Sequence, residues 1–349
     1  MVSKIRVLVV DDSALAREVI TNILETDPQI EVIATAKDGK KAIDLARIIR
    51  PDIITMDIAM PGIDGLEATR QIMAYSPTPI VIVTDYDFER DSSLVFKALD
   101  AGALDVMDKP SLKRWSDLPA EGQKIIQNLK VLSKVKVITH LAAKRGKSNR
   151  TSSLLKKSAH RKTLKVIAIA ASTGGPNALL SVLGKLPKNF PAPIVIVQHI
   201  TKGFISGLVS WLGDECKITI REAKNGSLLE SGVAYICPSD YHLKLSSNNK
   251  IMLDSHTPPV KGFRPSANVL FESAGKALGN QVTGVILTGM GNDGTEGLKV
   301  LKALGGRIIA QDEETSVIFG MPQSAIKADV VDKVCSLDKI ADELLKEIK

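Results

Sequence analysis

Short, unbroken apolar runs alternate along this chain with amphipathic stretches of helical period. Within residues 1–120 the runs are Ile5–Val10, Val32–Ala36, Ile53–Met56, Ile80–Thr84 and Asp105–Met107. Strands apolar at successive positions, not only at alternate ones, suit a sheet covered on both faces, so five buried parallel strands are predicted. Between them, Ala14–Glu25, Lys40–Arg50, Gly65–Ala74 and Ser92–Ala101 carry the helical pattern. A further helix is predicted from about Glu121. Ile125, Leu129, Leu132, Val135, Ile138 and Leu141 fall on one of its faces and lysines fill the other, so it can extend to about residue 141.

Regular strand–helix alternation makes residues 1–130 an α/β unit of (βα)5 type, flavodoxin-like and doubly wound. Periodicity then fails over residues 142–162, which include KRGKSNRTSSLLKKSAHRK, a basic linker extended by its own repulsion. A second α/β unit, doubly wound and mostly parallel, is predicted over residues 163–349. Its strands are Val166–Ala170, Pro193–Gln198, Lys217–Glu222, Val233–Cys237, Val282–Thr288 and Arg307–Gln311. Its helices are Asn177–Leu186, Phe204–Gly213, Ala267–Leu278, Thr295–Ala303 and Leu337–Lys346, with a small hairpin over Tyr241–Leu253.

At 349 residues both units are large enough to bury their own cores. The net charge of +7 hides a division. Residues 1–120 hold 14 Lys/Arg against 20 Asp/Glu, a balance of −6, whereas Gly122–Gly213 contains no acidic residue. The basic block reads first as a solvated linker. A regulator whose output binds nucleic acid through it is the rival, but no helix-turn-helix and no aromatic interleaving accompany the charge, so nucleic acid is not an expected partner. No run approaches the roughly 18 apolar residues that span a bilayer. Val7–Val10 is too short for a signal peptide and runs into two aspartates, so a cytoplasmic location without membrane insertion is expected. Cys216, Cys237 and Cys335 are odd in number and lack metal-ligand spacing, which suits reduced structural thiols.

Candidate chemistry sits at the ends of the predicted strands. Asp11 and Asp12 follow the first and Asp57 follows the third. Carboxylates gathered at one sheet edge repel unless a cation joins them, and hard oxygen ligands suit Mg2+. Thr84 ends the fourth strand, and Lys109 after the fifth can pair with the charge. Asp57 is then a candidate acceptor of a phosphoryl group. Singly, such aspartates are more often caps or turns. As an ordered set, VLVVDDS, IITMDIAMPGIDG, VIVT and DKP resemble the receiver domain of bacterial response regulators, over residues 3 to about 130. Two positions depart from it: Val106 stands where many receivers carry an aromatic, and Asp108 adds a carboxylate beside Lys109.

In the second unit, Ser172, His199 and Asp293 each stand where an apolar run gives way to a loop. A hydroxyl, an imidazole and a carboxylate meeting at one crevice are the parts of a serine hydrolase. Gly174 and Gly175 allow close backbone approach, and Pro176 suits a first helical turn. Alone, STGG suits a phosphate-binding turn, His199 a capped or buried histidine, and GMGNDG a tight turn; the conjunction favours the hydrolase. His140 and His160 fall in the basic segment, and His242 and His256 near hairpin turns that could border the crevice.

ASTGGP, QHI, FRPSANVLFESA and ILTGMGNDG resemble the catalytic domain of the chemotaxis protein-glutamate methylesterases, the CheB family. The resemblance implies Ser172 as nucleophile, His199 as general acid/base and Asp293 as its orienting partner. It further implies Thr173, Gly174 and Gly175 beside the nucleophile, Met290 as an oxyanion donor, and Arg264 in the cleft for substrate. The implied activity is hydrolysis of glutamate γ-methyl esters on methyl-accepting chemoreceptors, with deamidation of receptor glutamines. A histidine kinase would phosphorylate Asp57, Mg2+ would serve the receiver, and the esterase would need no cofactor. The alternatives are a catalytically silent binding output, or the same esterase acting outside chemotaxis.

Overall fold

The computed structural model describes residues 4–85, 93–110, 118–135, 137 and 164–348. The predicted linker, 142–162, lies outside the described residues, as do Ile138, His140, Leu141 and His160. The first unit runs β1 (Ile5–Val10), α1 (Ala14–Leu24), β2 (Ile30–Ala36), α2 (Gly39–Ile49), β3 (Ile53–Met56), α3 (Gly65–Tyr75), β4 (Ile80–Thr84), α4 (Ser93–Asp100), β5 (Asp105–Asp108) and α5 (Leu118–Leu132). Its parallel sheet has the order β2-β1-β3-β4-β5. The first three helices start where a capping side chain accepts an orphan N–H: Ser13 from Ala16, Asp38 from Lys41 and Asp64 from Glu67, at 3.3, 2.8 and 2.8 Å.

Within the first unit, two elements depart from the sequence reading by two residues or more. β2 begins earlier, because Ile30 and Glu31 pair with Ile5 and Arg6; the exposed Glu31 had broken the apolar run. α5 begins at Leu118 and stops at Leu132, so the helical face does not continue through Val135. There Ser133 N–H turns to Leu129 O and Val135 N–H to Leu132 O, at 2.9 and 3.0 Å. The branched Val131, Val135 and Val137 do little to prolong a helix. Val135 still packs on the same core cluster, which is why its spacing looked helical.

The second unit contains β6 (Val166–Ala171), α6 (Gly175–Leu183), β7 (Ile194–Gln198), α7 (Ile205–Glu215), β8 (Thr219–Glu222), β9 (Val233–Ile236), β10 (His242–Leu245), β11 (Ile251–Asp254), α8 (Ala267–Leu278), β12 (Val282–Ile286), α9 (Thr295–Ala303), β13 (Arg307–Gln311), α10 (Met321–Lys327), β14 (Lys333–Cys335) and α11 (Leu337–Glu347). The strands other than β10 and β11 form a parallel sheet of order β14-β13-β12-β6-β7-β9-β8; β10 and β11 form an antiparallel hairpin. β14 and α10 were not foreseen. β14 spans three residues with an exposed Val334, and α10 carries Pro322 in its first turn, where proline is tolerated. The chain leaves β6 toward β7 on one side and returns through β12 on the other, so the carboxyl ends of these three strands flank a topological switch point.

The two units touch. Phe96 of α4 stacks on Trp211 of α7, ring centroids 5.4 Å apart, and Asn177 of α6 donates to Leu99 O at 3.2 Å. Ile318 of the second unit joins the apolar cluster that holds Ile125, Ile126 and Leu129 of α5, and Met290 and Val317 pack against that cluster.

Candidate active site

Strand register brings the nucleophile candidate beside the imidazole. Ala171 pairs with Gln198 as the last residues of β6 and β7, and His199 N–H donates to Ala171 O at 2.9 Å. Ser172 and His199 are therefore the next residues out on adjacent strands. The nucleophile loop is held from several sides. Ser172 N–H donates to Thr288 O at 3.0 Å, Gln198 Nε2 to Ser172 O at 2.8 Å, and Thr288 Oγ1 to Thr173 O at 3.0 Å. Gly174 lies at φ +75°, and a Cβ there would meet Val317 at 2.6 Å. At Gly175 it would meet Gln198 Oε1 at 2.1 Å. Close approach requires both glycines, and the left-handed φ adds a conformational demand at Gly174.

Asp293 approaches from the loop after β12 and is 1% exposed. Its Oδ2 accepts from His199 Nε2 at 2.9 Å and from Ala267 N–H at 2.7 Å. Its Oδ1 accepts from Ser266 Oγ at 2.7 Å and from Asn268 N–H at 3.2 Å. The carboxylate thus caps the start of α8 from a distant loop. Asn268 returns the favour, its Oδ1 accepting from Gly294 and Gly297 N–H at 3.1 and 2.9 Å, at the start of α9. Burial opposes the charge on Asp293, but the bonds from His199, Ser266 and Ala267 prevail and hold its carboxyl below the usual range.

With Nε2 committed to Asp293, the other ring nitrogen, Nδ1, is buried and has no hydrogen-bond partner. No hydrogen bond joins it to Ser172, so the expected row is closed on the aspartate side and open on the serine side. Catalytic hydrogen bonds commonly tighten only with substrate bound. Phe263 stacks on the imidazole at 4.3 Å between centroids and 11° between planes.

Ser172, Thr173, His199, Arg264 and Met290 line one crevice of about 730 Å³. Met290 N–H donates to no protein acceptor among the described residues and stays available. Arg264 Nη1 is held by Ser255 O and Thr257 O at 3.0 and 3.4 Å, while its Nε is buried and unpartnered. The opposite wall is the first unit itself: Asp105, Met107, Lys109, Lys124 and Asn128 line the same crevice.

Several site residues escaped the sequence reading. Phe263, Ser266, Gln198 and Asn268 lack a distinctive spacing, although Phe263, Ser266 and Asn268 lie within FRPSANVLFESA and Gln198 within QHI. His242 does not line the crevice. It is fully buried between Pro258 O, 3.1 Å from Nε2, and Ser266 N–H, which donates to Nδ1 at 3.2 Å, so it supports the segment carrying Phe263. His256 also lies away from the crevice lining.

In the first unit, ligand atoms of Asp11, Asp12 and Asp57 lie within 4.8 Å of one another. Lys109 Nζ sits 2.8 Å from Asp11 and 2.9 Å from Asp57. Burial outweighs Lys109 and raises the Asp11 carboxyl above its ordinary range. For Lys109 burial works against the charge, but the Asp11 and Asp57 carboxylates hold its ammonium above the ordinary value. Thr84 is fully buried at the end of β4, with Lys109 N–H on its carbonyl at 3.0 Å. Three clustered oxygen ligands fit a hard divalent cation.

Known proteins resemble the chain along nearly its whole length. The CheB methylesterase family model matches residues 167–344, and the response regulator receiver domain model matches residues 7–115. A protein of Anaeromyxobacter dehalogenans named protein-glutamate methylesterase/protein-glutamine glutaminase 2 is 45% identical over 336 residues, covering 96% of this chain and 95% of the relative. A Halalkalibacterium halodurans protein named protein-glutamate methylesterase/protein-glutamine glutaminase is 41% identical over 361 residues, covering 100% of both. The crystal structure of the Thermotoga maritima CheB methylesterase catalytic domain is 40% identical, with a TM-score of 0.51, covering 53% of this chain and 98% of that one. Crevice, receiver and relatives agree: the chain belongs to the CheB methylesterase family and carries an N-terminal receiver domain.

Proposed function

We propose that the protein is a phosphorylation-regulated esterase that hydrolyses glutamate γ-methyl esters on methyl-accepting chemoreceptors and deamidates receptor glutamines. The buried, unpartnered Nδ1 of His199, beside Ser172 and opposite the Asp293 bond, carries this reading. Ser172 Oγ attacks the ester carbonyl carbon and His199 Nδ1 takes its proton. The tetrahedral oxyanion forms near the free N–H of Met290. When it collapses, the carbon–oxygen bond to methoxide breaks and His199 returns the proton, releasing methanol. Water, deprotonated by His199, then cleaves the acyl-serine to a glutamate carboxylate. A glutamine side chain follows the same course with ammonia leaving. Asp293 keeps the proton on Nε2 and stabilises the imidazolium. Thr173, Gly174 and Gly175 shape the nucleophile loop, and Arg264 faces substrate.

Asp57 accepts the phosphoryl group from a histidine kinase in the cytoplasm. Asp11, Asp12 and Asp57 would hold Mg2+, which supplies charge neutralisation for the phosphoryl oxygens. Lys109 and Thr84 sense the phosphoryl group. Without phosphate the receiver lies over the crevice through Phe96, Leu99 and α5 and limits access of a receptor helix. Residues 1–130 are the regulatory domain, 142–162 a linker and 163–349 the catalytic domain. Among the described residues no helix is long and apolar enough to cross a membrane.

Methanol release from methyl-labelled receptor membranes tests this directly. Ser172→Ala should abolish release and labelling by a fluorophosphonate probe while leaving the thermal midpoint unchanged. A persistent rate in that variant would remove the serine mechanism.

A further inference from the structure

The segment that carries Phe263 has an unusual turn. Val260 and Phe263 exchange backbone hydrogen bonds, both 3.0 Å, around Lys261 and Gly262. Both central residues lie in the left-handed region, at φ +50° and +87°, as in a type I′ turn. Glycine suits such a position and asparagine tolerates it, whereas lysine sits there at a conformational disadvantage. Strain of this kind points to a function at the site. The turn is anchored at the chemistry, since its next residue, Phe263, stacks on His199.

In sequence Lys261 and Arg264 stand on either side of Phe263, which stacks on the catalytic imidazole, and both line the crevice. Neither has a carboxylate within ion-pair distance among the described residues. Glu296, close enough to feel Lys261, is paired with Lys299 at 2.9 Å. Arg264 Nε is buried without a partner. Lys202, on the same wall, pairs among the described residues with the exposed Asp240, an exchangeable surface contact.

We infer that Lys261, with Arg264, selects esters flanked by carboxylates: the substrate segment presents acidic side chains one helical turn from the methyl ester, and the Lys261 turn reads them. Residues three and four apart share a helix face at about 5–6 Å between Cβ atoms, so carboxylates at those positions enter the crevice together with the ester. This rests on the esterase reading and adds a specificity-determining residue to it.

The test uses the full chain, with acetyl phosphate, and two helical peptides carrying one glutamate γ-methyl ester. One has glutamates at the positions four before and three after the ester; the other has alanines. The wild type should favour the acidic peptide by roughly threefold to fivefold in kcat/KM, mostly through KM, and lose that preference near about 0.5 M salt. Lys261→Asn should reduce the ratio toward unity while unfolding at the same or a higher temperature, and Lys261→Arg should keep the preference. A wild-type ratio of unity, or a ratio unchanged in Lys261→Asn, overturns the inference and leaves the esterase reading intact. Release from neither peptide by wild type, equal to Ser172→Ala, overturns both.

Discussion

Replacing Asp293 by asparagine removes one charge and one acceptor from a carboxylate with four donors. The new amide group has two places to go. At the Oδ2 position it would face Ala267 N–H, which cannot turn away, and His199 Nε2. At the Oδ1 position the Ser266 hydroxyl can rotate to accept, and only Asn268 N–H, the longest contact at 3.2 Å, loses its acceptor. The second arrangement should prevail, so the imidazole keeps its orientation and the variant folds. One orphaned buried donor costs roughly 1–3 kcal/mol of stability. The larger effect falls on the imidazolium formed in the transition state. Two unit charges about 4 Å apart at an effective dielectric of about 20 attract by about 4 kcal/mol. Losing that interaction slows the reaction about 1,000-fold. Methanol release from methyl-labelled receptor membranes measures the rate, and thermal unfolding with fluorophosphonate labelling of Ser172 verifies an intact site. A folded Asp293→Asn enzyme within tenfold of the wild-type rate would refute the assignment. The carboxyl of Asp293 is held below its ordinary range, so its contribution to stability is present above the unfolded value, about 3.9, and is lost as pH falls through the lower folded value.

Further outcomes follow from other contacts. Burial pushes the Asp105 carboxyl up to about 6, although Val106 N–H and the Thr173 hydroxyl both donate to it. A raised folded value means that the native state holds the proton longer, so stability falls as pH rises from about 4 through 6. Asp105→Asn, a neutral stand-in, should therefore melt higher than wild type at pH 7.5, with the difference reduced to about a third at pH 4.5; a pH-independent difference would contradict this. Gly289→Ala would put a Cβ 2.7 Å from Ser172 Cβ and 2.4 Å from Met321 Sδ. It should cost roughly 1–3 kcal/mol, visible as a lower thermal midpoint, and displace the nucleophile. Chelation of divalent cations should remove stimulation by acetyl phosphate and leave the basal esterase rate, and Asp57→Asn should do the same without chelator; stimulation surviving either would count against Asp57.

Much of the candidate site was legible because its residues sit at the ends of apolar runs. Ser172, His199 and Asp57 each follow a strand buried at every position, whereas Lys109 follows β5, of which only Val106 is buried. Asp293 was found by the same logic although β12 ends at Ile286, seven residues before it, because GMGNDG marks the loop. Phe263, Ser266 and Asn268 fall within FRPSANVLFESA, but their individual roles were not legible there. Their roles depend on where α8 begins relative to the β12 loop, a relation between segments with no local signature. His242 was legible as a histidine near the hairpin, but its burial between Pro258 and Ser266 reassigns it from the crevice to its support.

The order of apolar and polar residues was enough to set two α/β units, most of their helices and the strand ends where chemistry collects, because burial on both faces and helix capping are local demands. It could not set strand order, nor which imidazole nitrogen meets Asp293, nor that Asp105 and Lys124 of the receiver wall off the crevice of Ser172. Those are contacts between residues far apart in the chain, decided only when both sheets are assembled and the receiver is packed against the catalytic domain.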